Sequence, residues 1–216
     1  MKEEPYKDSK TQESKENSSK SGLSRRGFLK GAGLTAAGTA MANTGLMGMT
    51  GADLEEAKEI GPEAVSVKLK INGEFRHAII EPRATLAHTL RDHLRMTGTK
   101  VVCDRGSCSA CTVWIDGKPV NSCLTLTLDV GDREVTTVEG LSKNGQLHPV
   151  QRAFVDHDAA QCGYCTPGMI MSAAHLVENK SNPTLEDVKH AVRGNLCRCG
   201  TYPHVFKATL EASKKM

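Results

Sequence analysis

Eight cysteines constrain this chain more than any other feature, because they fall into two spaced sets and none lies before residue 103. The first set is Cys103, Cys108 and Cys111, spaced C-x4-C-x2-C, with Cys123 eleven residues further on. The second is Cys162 and Cys165, spaced C-x2-C, with Cys197 and Cys199, spaced C-x-C. Aromatic residues make up 4% of the chain and hydrophobic residues 38%. That supply suits two small domains better than one large core, and domains of that size usually need a staple beyond apolar burial. The cysteines are the candidate staple.

Three thiolates in one short loop and a fourth on a separate segment is the spacing of plant-type [2Fe–2S] ligation. Zinc ligands more commonly come as two paired knuckles. Gly106, Ser107, Ser109 and Ala110 are small enough for backbone N–H groups to approach the sulfurs, which stabilises an anionic cluster and tunes its potential. The C-x2-C…C-x-C pattern by itself leaves a cluster, a zinc site and disulfides all open. In an extended link, residues two apart face the same way, so Cys197 and Cys199 can share a centre while Arg198 points away. A helix starting at Thr166 would add free N–H groups and a positive dipole end.

Around the first set the periodicity is that of strands. Ala64–Ile71 alternates apolar and polar, Asn72-Gly73 is a hairpin signal, and Glu74–Ile80 reads as the return strand. Leu86, Leu90 and Leu94, four apart, predict a helix over 85–94. Strands resume at Thr112–Ile115, Pro119–Leu124 (which would carry Cys123) and Glu134–Val138. This predicts a β-grasp-like α+β domain over residues 64–140.

Around the second set the periodicity is helical, predicting an all-α four-helix domain over residues 146–213. Pro149 suits a first helical turn, with Val150, Ala153, Phe154 and His157 on one face. Thr166 reads as an N-cap before a stripe of Met169, Ile170, Ala173, Leu176 and Val177. Thr184 with Asp187 resembles a capping box, with Leu185, Val188, Ala191 and Val192 on the buried side and Gly194 as the stop. A last helix is expected from about Pro203, carrying Val205, Phe206 and Leu210.

Charge and the N-terminus point to export. Residues 1–52 hold 8 Lys/Arg against 5 Asp/Glu, so the formal +3 resides there and the remainder is balanced, which excludes a basic nucleic-acid-binding body. Residues 1–23 are too polar to bury anything and are expected to be disordered. Ser24-Arg25-Arg26-Gly27-Phe28-Leu29-Lys30 then precedes an uncharged, weakly apolar run from Gly31 to Ala52. This fits a twin-arginine (Tat) export signal rather than a stable membrane span, with periplasmic localisation as the consequence. Cleavage is expected after Ala52, with Ala40-Met41-Ala42 as the other candidate. The G-x-G-x-x-A string Gly31–Ala36 lacks the preceding strand a dinucleotide fold requires. The Tat route carries folded proteins, which suits a chain that acquires a metal group before it leaves the cytoplasm.

No nucleophile–base pair, P-loop or base-stacking platform is present, so no catalytic residue is assigned. The eight His form no tight group, Asp156 and Asp158 read as parts of a helix end, and Met169 and Met171 read as core.

Three motifs together carry a family resemblance: Cys103–Cys111 with Cys123, Gln161-Cys162-Gly163-Tyr164-Cys165-Thr166-Pro167-Gly168, and Gly194-Asn195-Leu196-Cys197-Arg198-Cys199-Gly200. Residues 65–212 resemble the small iron–sulfur subunit of the xanthine dehydrogenase/aldehyde oxidase family, the molybdenum hydroxylases. The twin-arginine signal further resembles exported, periplasmic aldehyde oxidoreductase members. The resemblance implies a plant-type ferredoxin-like domain with one [2Fe–2S] cluster on Cys103, Cys108, Cys111 and Cys123, and a helical domain with another on Cys162, Cys165, Cys197 and Cys199. It implies a large partner subunit holding molybdopterin, and usually an FAD subunit. The helical-domain cluster would accept electrons first and the other pass them on to FAD or another acceptor. Gln161 matches the glutamine that hydrogen-bonds the pterin, and Gly163 would allow close backbone approach. Val102 and Ser109 stand where the family often has glycine, departures that bear on the potential of the first cluster. The expected role is therefore an electron-transfer subunit of an oxidoreductase acting on an aldehyde or N-heterocycle, with no substrate chemistry on this chain. The alternatives are a stand-alone exported two-cluster carrier and a zinc- or disulfide-stapled structural module.

Overall fold

The computed structural model describes residues 60–215, which fall within one compact unit. The twin-arginine motif, the uncharged run after it and both candidate cleavage points lie outside the described residues. Among those described, no helix is long and apolar enough to cross a membrane.

A five-stranded mixed sheet comes first in the chain. Strands β1 (Val65–Ile71) and β2 (Glu74–Ile80) pair antiparallel from Val65↔Ile80 to Ile71↔Glu74. Asn72 and Gly73 between them both take positive φ, the conformation of a tight primed hairpin turn. Strands β3 (Thr112–Ile115), β4 (Lys118–Asn121) and β5 (Glu134–Thr136) complete the order β2-β1-β5-β3-β4. Strand β5 runs parallel to β1 and antiparallel to β3. Pro119 lies in β4, at the sheet edge, where its missing N–H costs no ladder bond. One face of the sheet buries Leu69, Ile71, Val113, Ile115 and Val135 against Leu86, Leu90 and Val130.

Two departures from expectation occur here. The 85–94 segment is a short helix α1 (Leu86–His88) that continues as a wider turn over Thr89–His93, where the Leu94 N–H bonds back to the Thr89 carbonyl. Thr89 anchors it through a 2.7 Å hydroxyl contact with Thr127; Leu86 and Leu90 are fully buried, whereas Leu94 is only half-buried. The expected strand through Cys123 stops at Asn121, and Ser122–Leu124 forms a tight turn instead. The Ser122 hydroxyl donates to the Cys111 carbonyl at 2.6 Å, which bends the chain off the sheet and turns Cys123 back toward the cysteine loop.

Four helices follow: α2 (Pro149–Asp156), α3 (Thr166–Asn179), α4 (Leu185–Ala191) and α5 (Tyr202–Ser213). Helix α3 is the centre, with Met169, Met171, Ala173 and Ala174 all fully buried, so it is apolar around most of its girth rather than along one stripe. It packs on Val150, Phe154, Val205 and Ala208. Trp114 of β3 joins that core, its indole N–H donating to the Met171 carbonyl at 3.0 Å.

Thr184 and Asp187 form a reciprocal capping box. A second one, His148 with Gln151, begins α2. Thr166 is not a cap: it is the first helical residue, Cys165 precedes it in helical conformation, and the Thr166 hydroxyl is buried without a partner. Leu185 is exposed rather than buried, because the first turn of α4 faces outward.

Candidate metal centre

Sequence order disperses the eight cysteines over 97 positions, from 103 to 199, but the fold gathers them into two groups of four. All eight are free thiols. In the first group the Cys103 and Cys108 thiols lie close enough to influence each other, as do those of Cys111 and Cys123, and Cys103 also acts on Cys123. In the second group Cys165 adjoins Cys197 and Cys162 adjoins Cys199, with Cys162 acting on Cys165 and Cys197 on Cys199. Among the described residues, no three His, Cys, Asp or Glu side chains close tightly enough to hold one metal ion. A two-iron group with bridging sulfides is wider than one ion and needs four sulfurs spread around it.

The first group sits at the rim of the sheet. Its loop takes positive φ at Asp104, Gly106 and Ser109. The Gly106 N–H donates to Cys123 Sγ at 3.3 Å, and the Cys123 N–H to Cys111 Sγ at 3.5 Å. Cys108, Cys111 and Cys123 are buried, and Cys103 is half-buried. His88 reaches the same loop, with one ring nitrogen 3.0 Å from Asp92 and the other 3.3 Å from Asp104; hydrogen bonding to Asp92, then to Asp104, raises its pKa.

The second group sits where helices begin and end. Cys165 is buried at the start of α3, while Cys162 and Cys199 are exposed. The Thr201 hydroxyl lies 3.2 Å from Cys197 Sγ, and the Cys197 N–H donates to the Tyr202 hydroxyl at 2.8 Å. Gln161 is exposed beside Cys162. Gly163 adopts φ +82, and a Cβ there would meet nothing. A cleft of about 400 Å³ opens at this point, lined by Cys162, Gly163 and Tyr164 and, from the sheet half, by Arg91, Lys100 and Val101.

The thiols are electrostatically unequal. Burial pushes Cys123 and Cys165 up to about 12, and their thiol neighbours add to the rise. Burial also raises Cys108. A backbone N–H from Arg105 brings Cys103 down to about 7. Burial works to raise Cys197, but hydrogen bonds from Thr201 outweigh it and hold the thiol at about 7. Crowded, partly buried thiols resist joint ionisation unless a cationic centre sits among them. Four sulfur donors with N–H and O–H groups aimed at them are what an iron–sulfur cluster requires, so the residues present fit that group.

The sequence motifs do not reveal the groups that join the two sets. The Leu196 N–H donates to the Cys108 carbonyl at 3.0 Å, and the Asn195 side-chain amide donates to the Ser109 carbonyl at 3.0 Å. Only Gly194-Asn195-Leu196 lying beside C-x-C hinted that these residues matter.

Comparison with known proteins accords with this geometry. Residues 137–210 match the [2Fe-2S] binding domain family. The nicotine 6-hydroxylase small subunit of Paenarthrobacter nicotinovorans is 45% identical over 150 residues, covering 69% of this chain and 90% of that one. The aldehyde oxidoreductase iron-sulfur-binding subunit of Escherichia coli (strain K12) is 38% identical over 167 residues, covering 70% and 73%. Among solved structures, quinoline 2-oxidoreductase from Pseudomonas putida 86 superposes with a TM-score of 0.68 at 38% identity, covering 71% of this chain and 95% of that one. Aldehyde oxidoreductase from Desulfovibrio gigas gives 0.65 at 38% identity, this chain spanning 17% of that longer one. By sequence, fold and thiol arrangement together, the chain belongs to the molybdenum hydroxylases, as one of their small iron–sulfur, electron-transferring subunits.

Proposed function

We propose that this subunit relays single electrons through two [2Fe–2S] clusters, from a molybdopterin-bearing partner subunit toward an FAD subunit or another acceptor. The observation that carries the reading is the gathering of eight free thiols into two fours, each with hydrogen-bond donors aimed at sulfur. A bound [2Fe–2S] cluster supplies reversible one-electron exchange. Cys103, Cys108, Cys111 and Cys123 hold one, in a plant-type ferredoxin-like β-grasp domain over residues 64–140. Cys162, Cys165, Cys197 and Cys199 hold the other, in a four-helix domain over 146–213. Each oxidised four-thiolate cluster carries a charge of about −2, which the N–H donors partly offset.

The helical site faces the molybdenum partner. Its exposed Cys162 and Cys199 and the adjoining cleft leave room for a docked cofactor edge, where the Gln161 amide hydrogen-bonds the pterin and the bare Gly163 backbone lets it approach. Large apolar residues lie exposed beside a thiol of each group, Val102 and Leu124 in the first and Tyr164 and Leu196 in the second, as a partner-covered surface requires. The substrate is an aldehyde or N-heterocycle bound on the large subunit. The twin-arginine segment exports the assembled complex to the periplasm.

Anaerobic purification of the natively expressed complex tests the partnership: molybdenum and pterin are expected in the same chromatographic peak as this chain. A monomer that carries clusters but no molybdenum would contradict it. Arg25→Lys with Arg26→Lys is expected to retain the chain in the cytoplasm; unchanged periplasmic yield would contradict export by this route.

A further inference from the structure

Between the two groups of thiols lies a seam whose contacts are made by backbone groups and by side chains other than the thiols. Its centre is the turn Cys108–Ser109–Ala110, with Ser109 at φ +51. The helical half grips this turn at three points. The Leu196 N–H donates to the Cys108 carbonyl, and buried Asn195 donates its side-chain amide to the Ser109 carbonyl. Gly168, on the first turn of α3, lies so close that a Cβ would run into the Ser109 carbonyl oxygen and the Ala110 backbone. The Tyr202 hydroxyl extends the grip, accepting the Cys197 N–H at 2.8 Å and donating to the Asn195 carbonyl at 3.2 Å. One line of contacts therefore runs from the turn beside Cys108 and Cys111, through Asn195 and Tyr202, to Cys197.

Apolar burial alone would hold two halves together without fixing their register, because it is non-directional. A buried amide aimed at one carbonyl fixes orientation, and a glycine pressed onto backbone fixes distance. We propose that Asn195 and Gly168 are positioning residues that set the spacing and orientation of the two thiol groups, and with them the electronic coupling between the clusters held there. This rests on the two-cluster reading above. In the coupled step one electron leaves the helical-half cluster and one arrives at the sheet-half cluster; no bond forms or breaks, and no proton moves. Small displacements in such a pre-set geometry carry large rate consequences.

The test is spin resonance of the loaded, dithionite-reduced complex at low temperature, where two neighbouring paramagnetic clusters split each other's lines. The unsubstituted complex is expected to show two signals with mutual splitting. Asn195→Ala leaves the Ser109 carbonyl its 2.7 Å bond from the Thr112 hydroxyl, so the chain is expected to keep its iron, sulfide and both signals while losing splitting. Gly168→Ala is expected to lose more of it, or to fail to load, because backbone must move. Full splitting in an Asn195→Ala complex would overturn the proposal, as would two unsplit signals in the unsubstituted one. A single signal there would instead sink the two-cluster reading itself.

Discussion

The Gly106 N–H points at Cys123 Sγ across 3.3 Å, joining a loop residue to a thiol 17 positions further along the chain. Gly106 sits at φ +70, and a Cβ would press on the Leu124 side chain. Gly106→Ala is therefore expected to strain the backbone by about 1–2 kcal/mol and to loosen the N–H···S bond. Hydrogen bonds to sulfur favour the more negative, reduced cluster. Redox titration followed by spin resonance is expected to show one midpoint moving to more negative potential and the other unmoved. Equal shifts in both would contradict the assignment of this bond to one site.

The two groups of thiols predict separable losses. Cys199 is exposed, and its thiol adjoins Cys162. Cys199→Ala is expected to abolish one spin-resonance signal, lower iron and sulfide by about half, and leave the second signal in place. Simultaneous loss of both signals would argue that the sites do not form independently.

Period-two and period-3.6 patterns suffice for β1, β2, β3 and the four helices that follow the sheet, whereas the 85–94 segment leaves its expected helix after His88. The seam between the halves has no such local signature. Asn195 and Ser109 meet across 86 positions, and the motif that contains Gly168 gives no sign that this glycine presses on the same turn. Pro119–Leu124 is expected as one strand carrying Cys123, whereas the deciding contact, Ser122 to the Cys111 carbonyl, comes from another segment. The His148 cap is equally hidden, since histidine is not among the residues that usually begin a helix. The burial of α3 on nearly every side depends on what α2, α5 and Trp114 bring to it.

Trp114 supplies a stability prediction. It is 6% exposed, its indole N–H bonds to the Met171 carbonyl, and its ring meets His175 edge-on with centroids 6.0 Å apart. Trp114→Phe removes the buried donor and is expected to cost about 1–3 kcal/mol. The denaturant midpoint should fall without a change in slope. An unchanged midpoint would mean that the indole hydrogen bond contributes nothing net to the packing of sheet on helices.

Acid stability depends in part on Asp187. A hydrogen bond from Lys180, then those from Thr184, hold its carboxyl below the ordinary carboxylate range. A folded-state pKa below the unfolded one contributes stability that is present above the unfolded value and lost as pH falls through the folded one. Asp187→Asn should therefore lower the urea midpoint at neutral pH and narrow its gap from the unsubstituted chain as the solution is acidified below about pH 4. A gap that stays constant with pH would contradict this role for the carboxylate.

Two clusters on one chain fix its metal content. Iron, acid-labile sulfide and low-temperature spin resonance should be measured on one anaerobic, dithionite-reduced preparation of the native complex. The expected result is about four iron and four sulfide per chain, with two distinct rhombic signals. A colourless preparation without labile sulfide, or zinc in place of iron, would contradict it.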